Sequence, residues 1–366
     1  MFLIKIFEGN IKKNVILIIP KTRLMNQIRE KKILIIRFSS FGDIIQCLSI
    51  VNGLKSKNQC FKIHWVLRSD MKELASLHPD IDKIWSLDRR EGLKGLVRLA
   101  KVLALEKFDY IYDAHSNLRS SILVFLLRLL SFGFILYKRP KKRFLRFLLF
   151  TLRLDFLKND RRGMLTYQRP LEDLKLGVFD SSKVHWRFSD EQMSKCRELI
   201  KNKFGEGIFI TLAPSAAWEM KRWPIAHWKS LIELMPDKKF VVLGGPSDHF
   251  CTELEAVAPE RVLNLAGKLS LLESCAIVKI SPLVVVADTG ILHVADLFGI
   301  SAIGLIGPTA FGFTTGPTVK MMEVDLPCRP CTKDGRGKCS QKVWQRCMVE
   351  IEPEAVALEA HRLLAN

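Results

Sequence analysis

The run Ile33-Leu34-Ile35-Ile36 is apolar at every position and passes directly into Arg37-Phe38-Ser39-Ser40-Phe41-Gly42-Asp43. A strand with one wet face alternates apolar and polar residues. A short continuous run reads instead as a strand covered on both faces, the situation inside a parallel sheet. A helical pattern then continues through Leu54, so the opening unit is strand, small-residue loop, helix. The same logic predicts strands at 63–67, 84–87 and 110–113 and a helix over 92–106, with 121–131 reading as a buried helix and 134–137 as a further strand. Farther on, strands are predicted at 208–212, 239–243, 283–287 and 302–306, separated by helix-like segments and loops rich in Gly and Pro. Strands alternating with helices predict an α/β fold built on parallel sheets.

A chain of 366 residues, 48% of them apolar, has material for two separately packed cores. Composition turns polar across 178–206, around Asp180-Ser181-Ser182-Lys183 and Ser189-Asp190-Glu191, and a fresh strand follows. The expected organisation is an N-terminal extension over 1–30, one domain over 31–190 and a second over 191–366. Each would be Rossmann-like and doubly wound, the two facing a central cleft, with ligands beyond the carboxyl ends of the strands.

The formal net charge of +19 implies a polyanionic partner, whether nucleic acid, an anionic membrane surface or a phosphorylated substrate. Basic residues are densest over 138–146, where Phe144 and Leu145 interleave with them, a composition suited to anionic headgroups or to a plain solvated face. Nucleic acid is disfavoured because the aromatic residues form no recognisable platform. Nine cysteines suit no disulfide framework, and no secretory signal opens the sequence, so a cytoplasmic setting is expected. The apolar stretch 13–20 is too short to span a bilayer, and 121–136 carries Arg128 in its middle.

Three loops at predicted strand ends carry candidate chemistry. In Ser39-Ser40-Phe41-Gly42-Asp43, small residues let backbone N–H groups approach an anion, and Asp43 is placed either to take a proton from a hydroxyl or to cap the helix. After the strand at 208–212 come Ser215 and then Lys221-Arg222-Trp223-Pro224; adjacent cations there suit a diphosphate or form an ordinary surface pair, and Pro224 is placed to open a helix. The strand at 283–287 runs into Asp288-Thr289-Gly290-Ile291-Leu292-His293, a helix N-terminus able to hold an anion, with His293 either donating to a ligand or serving the core. Gly307-Pro308-Thr309 is expected to line the same cleft.

Asp80 and Asp82 have the spacing of a metal-binding carboxylate pair, but they follow Pro79 and read more simply as a connecting turn. Lys221, Arg222 and the helix N-terminus then stand in for a divalent cation. Cys328, Cys331, Cys339 and Cys347 offer one zinc-like spacing, between the first two; a reduced structural segment is the alternative to a zinc site. A nicotinamide-dependent oxidoreductase is disfavoured, since no Gly-x-Gly-x-x-Gly follows a predicted strand.

Taken together, these residues resemble glycosyltransferase family 9, the heptosyltransferases of lipopolysaccharide core assembly, over about residues 31–360. Residues 33–43 are similar to its opening strand and Ser-Ser-x-Gly-Asp loop, 214–224 to its donor-phosphate segment, and Asp288-Thr289-Gly290 with His293 to its Asp-Thr-Gly-x-x-His signature. Arg346-Cys347-Met348 followed by Pro353-Glu354-Ala355-Val356 resembles the branch containing the second heptosyltransferase. Where many members carry Asp-x-Gln-Gly before a basic residue, this chain has Asp113-Ala114-His115-Ser116-Asn117-Leu118-Arg119.

The resemblance implies a GT-B fold whose first domain takes the acceptor and whose second binds an ADP-activated heptose, with inversion at the anomeric carbon and no cofactor or metal. Asp43 would be the general base; Ser215, Lys221, Asp288, Thr289, Gly290 and His293 would hold the donor; and Ser40, Gly42, His115 and Arg119 would lie on the acceptor side. The acceptor would be an anionic glycolipid, met at the cytoplasmic face of the inner membrane with 121–146 helping to dock. A relative using another sugar or acceptor, or a noncatalytic nucleotide-binding relative, is the alternative.

Overall fold

The computed structural model describes residues 30–55, 61–157, 161–176 and 184–365. The proposed extension over 1–29, and with it the apolar stretch 13–20, lies outside the described residues.

Two wholly parallel sheets form the framework. The first contains β1 (Lys31–Ile36), β2 (Phe61–Arg68), β3 (Lys83–Leu87), β4 (Tyr110–Asp113) and β5 (Ile135–Lys138), in the order β3-β2-β1-β4-β5. The central strand pairs Ile33 with Ile63 on one side and with Tyr110 on the other. All four side chains of residues 33–36 are fully buried, two against each layer of helices, as the unalternated run demands. Each contributes about 1.5–3 kcal/mol through the apolar surface it removes from water.

The second sheet contains β6 (Phe209–Ala213), β7 (Lys239–Val242), β8 (Val262–Asn264), β9 (Leu283–Ala287), β10 (Ala302–Leu305) and β11 (Val319–Met322), in the order β11-β10-β9-β6-β7-β8. Two of these strands, β8 and β11, escape the sequence reading. Both are edge strands of three or four residues, partly exposed, without the continuous apolar run of a central strand.

In each sheet the winding reverses beside the first strand, between β1 and β4 and again between β6 and β9. Loops leaving such neighbours diverge to opposite faces and open a crevice. The three motif loops, after β1, β6 and β9, are therefore delivered to the two crevices by topology alone.

The helix Phe41–Lys55 buries ten of its residues, including Gln46 and Ser49, because it packs on its own sheet and also against the helix Gly290–Phe298 of the second half. Gly42 and Gly290 allow that approach: a Cβ on Gly42 would lie 2.8 Å from the His293 ring and 3.2 Å from the Gly290 backbone.

Other departures from expectation are local. The helix anticipated at 121–131 begins earlier, at Leu118, because Asn117 and Ser120 form a capping box. The basic stretch 138–146 turns into an amphipathic helix, Arg143–Leu152. Within the polar region 178–206, a capping box of Ser189 and Gln192 starts the helix Asp190–Phe204, which packs on Leu271–Ile280 of the second half; residues 178–183 lie outside the described residues. Among the described residues, no helix is long and apolar enough to cross a membrane.

Candidate active site

Asp43 sits in the first turn of the helix that follows β1, where it caps that helix. Ser40 ends the loop; its amide and hydroxyl donate to Asp43 Oδ2 at 3.3 and 2.7 Å, so the carboxylate caps the helix. The same carboxylate is ion-paired with Arg37 and accepts a hydrogen bond from the Tyr167 hydroxyl at Oδ1, 2.7 Å away. Its side chain remains 34% exposed. Desolvation pushes the carboxyl upward, but Arg37, Arg139 and the hydrogen bonds from Ser40 and Tyr167 outweigh it and hold Asp43 well below the usual carboxylate range.

The surroundings of Asp43 are themselves fixed. Arg37, almost fully buried, donates to Ala114 O at 3.0 Å and so ties the loop after β1 to the loop after β4. His115 accepts from the Phe38 amide at 3.3 Å; burial and the nearby Arg37 push its pKa down to about 3, so it is a neutral support for the loop. Arg119 lies on the first turn of the next helix, half-buried. No local pattern marks Tyr167 or sets Arg139 apart within the basic stretch 138–146. Arg139 donates to Tyr167 Oη and to Thr166 Oγ1, each at 2.8 Å, and lies over the Tyr167 ring.

Across the cleft, a cavity of about 490 Å³ is bounded by Ser215, Arg222, the Gly244–Asp248 loop after β7, and Thr289-Gly290-Ile291, with Phe41 of the first half closing one side. The Ser215 hydroxyl is buried against the Cys251 thiol. Thr289 caps the helix Gly290–Phe298 without a side-chain hydrogen bond, leaving the first-turn N–H groups to a ligand. Arg222 lines the cavity, held by Ala216 O at 3.0 Å, with Asp248 3.8 Å away. The Gly244-Gly245-Pro246 turn, a glycine loop at a strand's carboxyl end, is the signal in the sequence for this part of the wall.

Lys221 is paired with Asp288 at 3.0 Å, and Asp288 also accepts from Thr309 Oγ1 at 2.6 Å. Thus the loops after β6, β9 and β10 are joined through one buried carboxylate. His293 departs from the role the resemblance implied. It is 7% exposed, lies outside the cavity lining, and has Gln46 Nε2 3.0 Å from each ring nitrogen. Burial lowers its pKa to about 4, so near neutral pH it is an uncharged contact between the halves.

The carboxylates weighed as metal ligands are bonded within the protein, whereas the four thiols lie near one another. Asp82 accepts from the Ile63 amide at 2.8 Å, and Asp80 is paired with His185 at 2.7 Å. Cys347 packs into the second core, Cys331 points at Pro308 O, and Cys328 and Cys339 are half-buried. Among the described residues, no group of three or more His, Cys, Asp or Glu side chains is arranged to hold a metal ion.

Two doubly wound parallel sheets with a ligand-sized cavity at their strand ends make up a GT-B fold. The glycosyltransferase family 9 (heptosyltransferase) family model matches residues 96–345, and the chain belongs to that family. Similar proteins include lipooligosaccharide heptosyltransferase 2 of Haemophilus influenzae, 25% identical over 91% of this chain and 99% of the relative. The enzyme of the same name from Campylobacter jejuni is 26% identical over 43% of this chain, which spans about half (51%) of that relative's length. Among solved structures, a glycosyl transferase of family 9 from Veillonella parvula superposes with a TM-score of 0.71 at 20% identity, covering 92% of this chain and 97% of that one. E. coli heptosyltransferase WaaC with ADP-2-deoxy-2-fluoro heptose gives 0.62 at 17% identity, covering 90% and 99%.

Proposed function

We propose that this protein moves a heptose from an ADP-linked donor to the core of a lipopolysaccharide or lipooligosaccharide, inverting the anomeric carbon without a metal ion. The observation that carries this reading is the cavity shared by both halves: Phe41 forms part of its wall, and Asp43 stands two residues farther on. The names of the relatives and the donor analogue held by E. coli WaaC support the choice of sugar and nucleotide.

In this mechanism the acceptor hydroxyl attacks the anomeric carbon from the face opposite the nucleotide and gives its proton to Asp43 as the carbon–oxygen bond to ADP breaks. Ser215, Arg222 and the N–H groups after Thr289 receive the diphosphate. Lys221 adds positive charge from behind Asp288, so fixed groups do the neutralising that a divalent cation does elsewhere. The halves are assigned as an acceptor domain over 31–190 and a donor domain from 191 onward.

The acceptor lies in a membrane, and exposed Phe125, Leu129, Phe132, Phe144 and Phe147 beside Arg128 and Arg143 suit a peripheral contact with anionic headgroups at the cytoplasmic face. Calorimetry of ADP, UDP, GDP and CDP, each with and without magnesium, tests the donor. Selective, magnesium-indifferent ADP binding is the expected result; preference for another nucleotide rejects the ADP-heptose assignment.

A further inference from the structure

The end of β5 and the segment returning toward Tyr167 enclose a second cavity, of about 380 Å³, on the acceptor side of Asp43. Six cations line it: Lys138, Arg139, Lys142, Arg146, Arg161 and Arg169. Its apolar walls are Pro140, Leu157, Pro170 and Phe311. Arg161 is paired with Asp155, and among the described residues no acidic side chain lines the cavity.

Arg146 is the telling member. Its guanidinium lies 4.5 Å from the centre of the Phe311 ring, its Nε is buried without a hydrogen-bond partner among the described residues, and burial and the positive charge of Arg139 outweigh the pull of Asp43 on it. Desolvating like charges together is costly unless an anion completes the site. The cavity also communicates with the base. Arg139 donates to Tyr167 Oη at 2.8 Å, and Tyr167 places its single hydroxyl proton on Asp43 at 2.7 Å.

We propose that this cavity is a subsite for a carboxylate or phosphate on the acceptor sugar, and that Arg139, through Tyr167, couples its occupation to the state of Asp43. The inference rests on the transfer reading above and specifies how the acceptor is recognised. With the cavity empty, Asp43 is clamped and is a weak base, so water in the cleft is poorly activated against the donor. An arriving anion compensates Arg139, weakens its pull on the Tyr167 hydroxyl and raises the proton affinity of Asp43 when an acceptor hydroxyl is present.

The groups facing Asp43 are Arg37 from the end of β1, Ser40 from its own turn, Arg139 after β5, Arg146 and Tyr167 from the two following helices, and Cys47 one turn along its helix. His115 and His293 also face it, with pKa values pushed down to about 3 and about 4, and are neutral at working pH. Of the cations, Arg139 both lines the cavity and touches Tyr167, which makes it a positioning residue for the base.

The test titrates glucose 1-phosphate, glucuronate and glucose into the full chain, with ADP binding as a control. Wild type is expected to bind one or both anionic sugars and not glucose, the two arms separating phosphate from carboxylate. Arg146→Gln is expected to weaken that binding at least tenfold with ADP affinity unchanged. Equal anion binding by Arg146→Gln and wild type, or none by wild type with ADP binding intact, overturns the subsite while sparing the transfer reading; loss of ADP binding in wild type strikes that reading itself.

Coupling is read from the Asp43 carboxyl carbon in aspartate-labelled protein, assigned with Asp43→Asn. Its resonance should move when the anionic sugar binds wild type and stay fixed in Tyr167→Phe. An Asp43 signal indifferent to a bound anion, or moving equally in both proteins, overturns the coupling.

Discussion

Tyr167 donates its hydroxyl proton to Asp43 across 124 residues of chain, so the strongest candidate for the catalytic base is buttressed by a segment outside every motif. The Tyr167 ring is fully buried, and its backbone carbonyl accepts from Tyr112 Oη at 2.8 Å, which fixes the phenol in place.

Replacing Asp43 with Asn keeps the side chain's shape and removes its ability to take a proton. Donor affinity should be unchanged, while transfer falls by roughly 10²–10⁴-fold. Normal turnover in this variant, measured by ADP release with a competent acceptor, takes Asp43 out of the mechanism.

Acid should expose the clamp on Asp43 thermodynamically. Its folded-state pKa is depressed, so its stabilising contribution is complete above the unfolded-state value near 3.8 and is lost as pH falls below that toward the folded value. Tm of wild type and of Asp43→Asn should differ most at pH 6 and converge as pH drops below 3.8. A gap independent of pH contradicts the clamp.

His293 gives a second acid signature in a different window. The folded protein keeps it neutral down to about pH 4 while the unfolded chain protonates near 6.5, so the unfolded state binds more protons and stability declines as pH falls from 6.5 to 4. His293→Gln should show a shallower decline of Tm over that interval; an identical slope refutes the buried neutral assignment.

The close approach of the halves at Gly290 can be probed by adding one methyl group. A Cβ there meets the Phe41 ring, so Gly290→Ala should cost about 1–3 kcal/mol in stability and weaken ADP binding, since Phe41 also walls the cavity. Denaturant unfolding with parallel calorimetry checks both.

The proposed membrane contact is separable from the cationic cavity because Phe144 and Phe147 are 70% and 55% exposed, while Arg139 and Arg146 line the cavity. Phe144→Ser with Phe147→Ser should reduce sedimentation with phosphatidylglycerol vesicles and leave ADP affinity intact. Unchanged sedimentation rejects this face as the docking surface.

The parts legible in the sequence share one cause. Residues 33–36 and 283–287 are unalternated apolar runs, and parallel topology delivers whatever follows such strands to the cleft. Asp43, Ser215 and Thr289-Gly290 could therefore be placed from local pattern alone. Arg139 and Tyr167 could not, because nothing near either residue records that they meet over Asp43. For His293 the local pattern leaves two readings, a ligand donor or a structural group, because its place in the motif says that it begins a helix and not that its side chain turns toward Gln46 of the other half. The basic stretch 138–146 reads as charge interleaved with apolar residues, whereas its division between a cavity and an outer face depends on the helix Arg143–Leu152.

The helix Phe41–Lys55, hemmed in on both sides, leaves little room for sequence change around Asp43. The turn directly after β5, at the edge of the first sheet, is only partly buried and has more freedom to exchange side chains. An arrangement of this kind lets acceptor preference diversify among descendants of one ancestor while the transfer step is inherited intact. For engineering, it directs libraries meant to change the acceptor to the cavity-lining positions 138, 140, 142 and 169, and away from Tyr167 and the helix that carries Asp43.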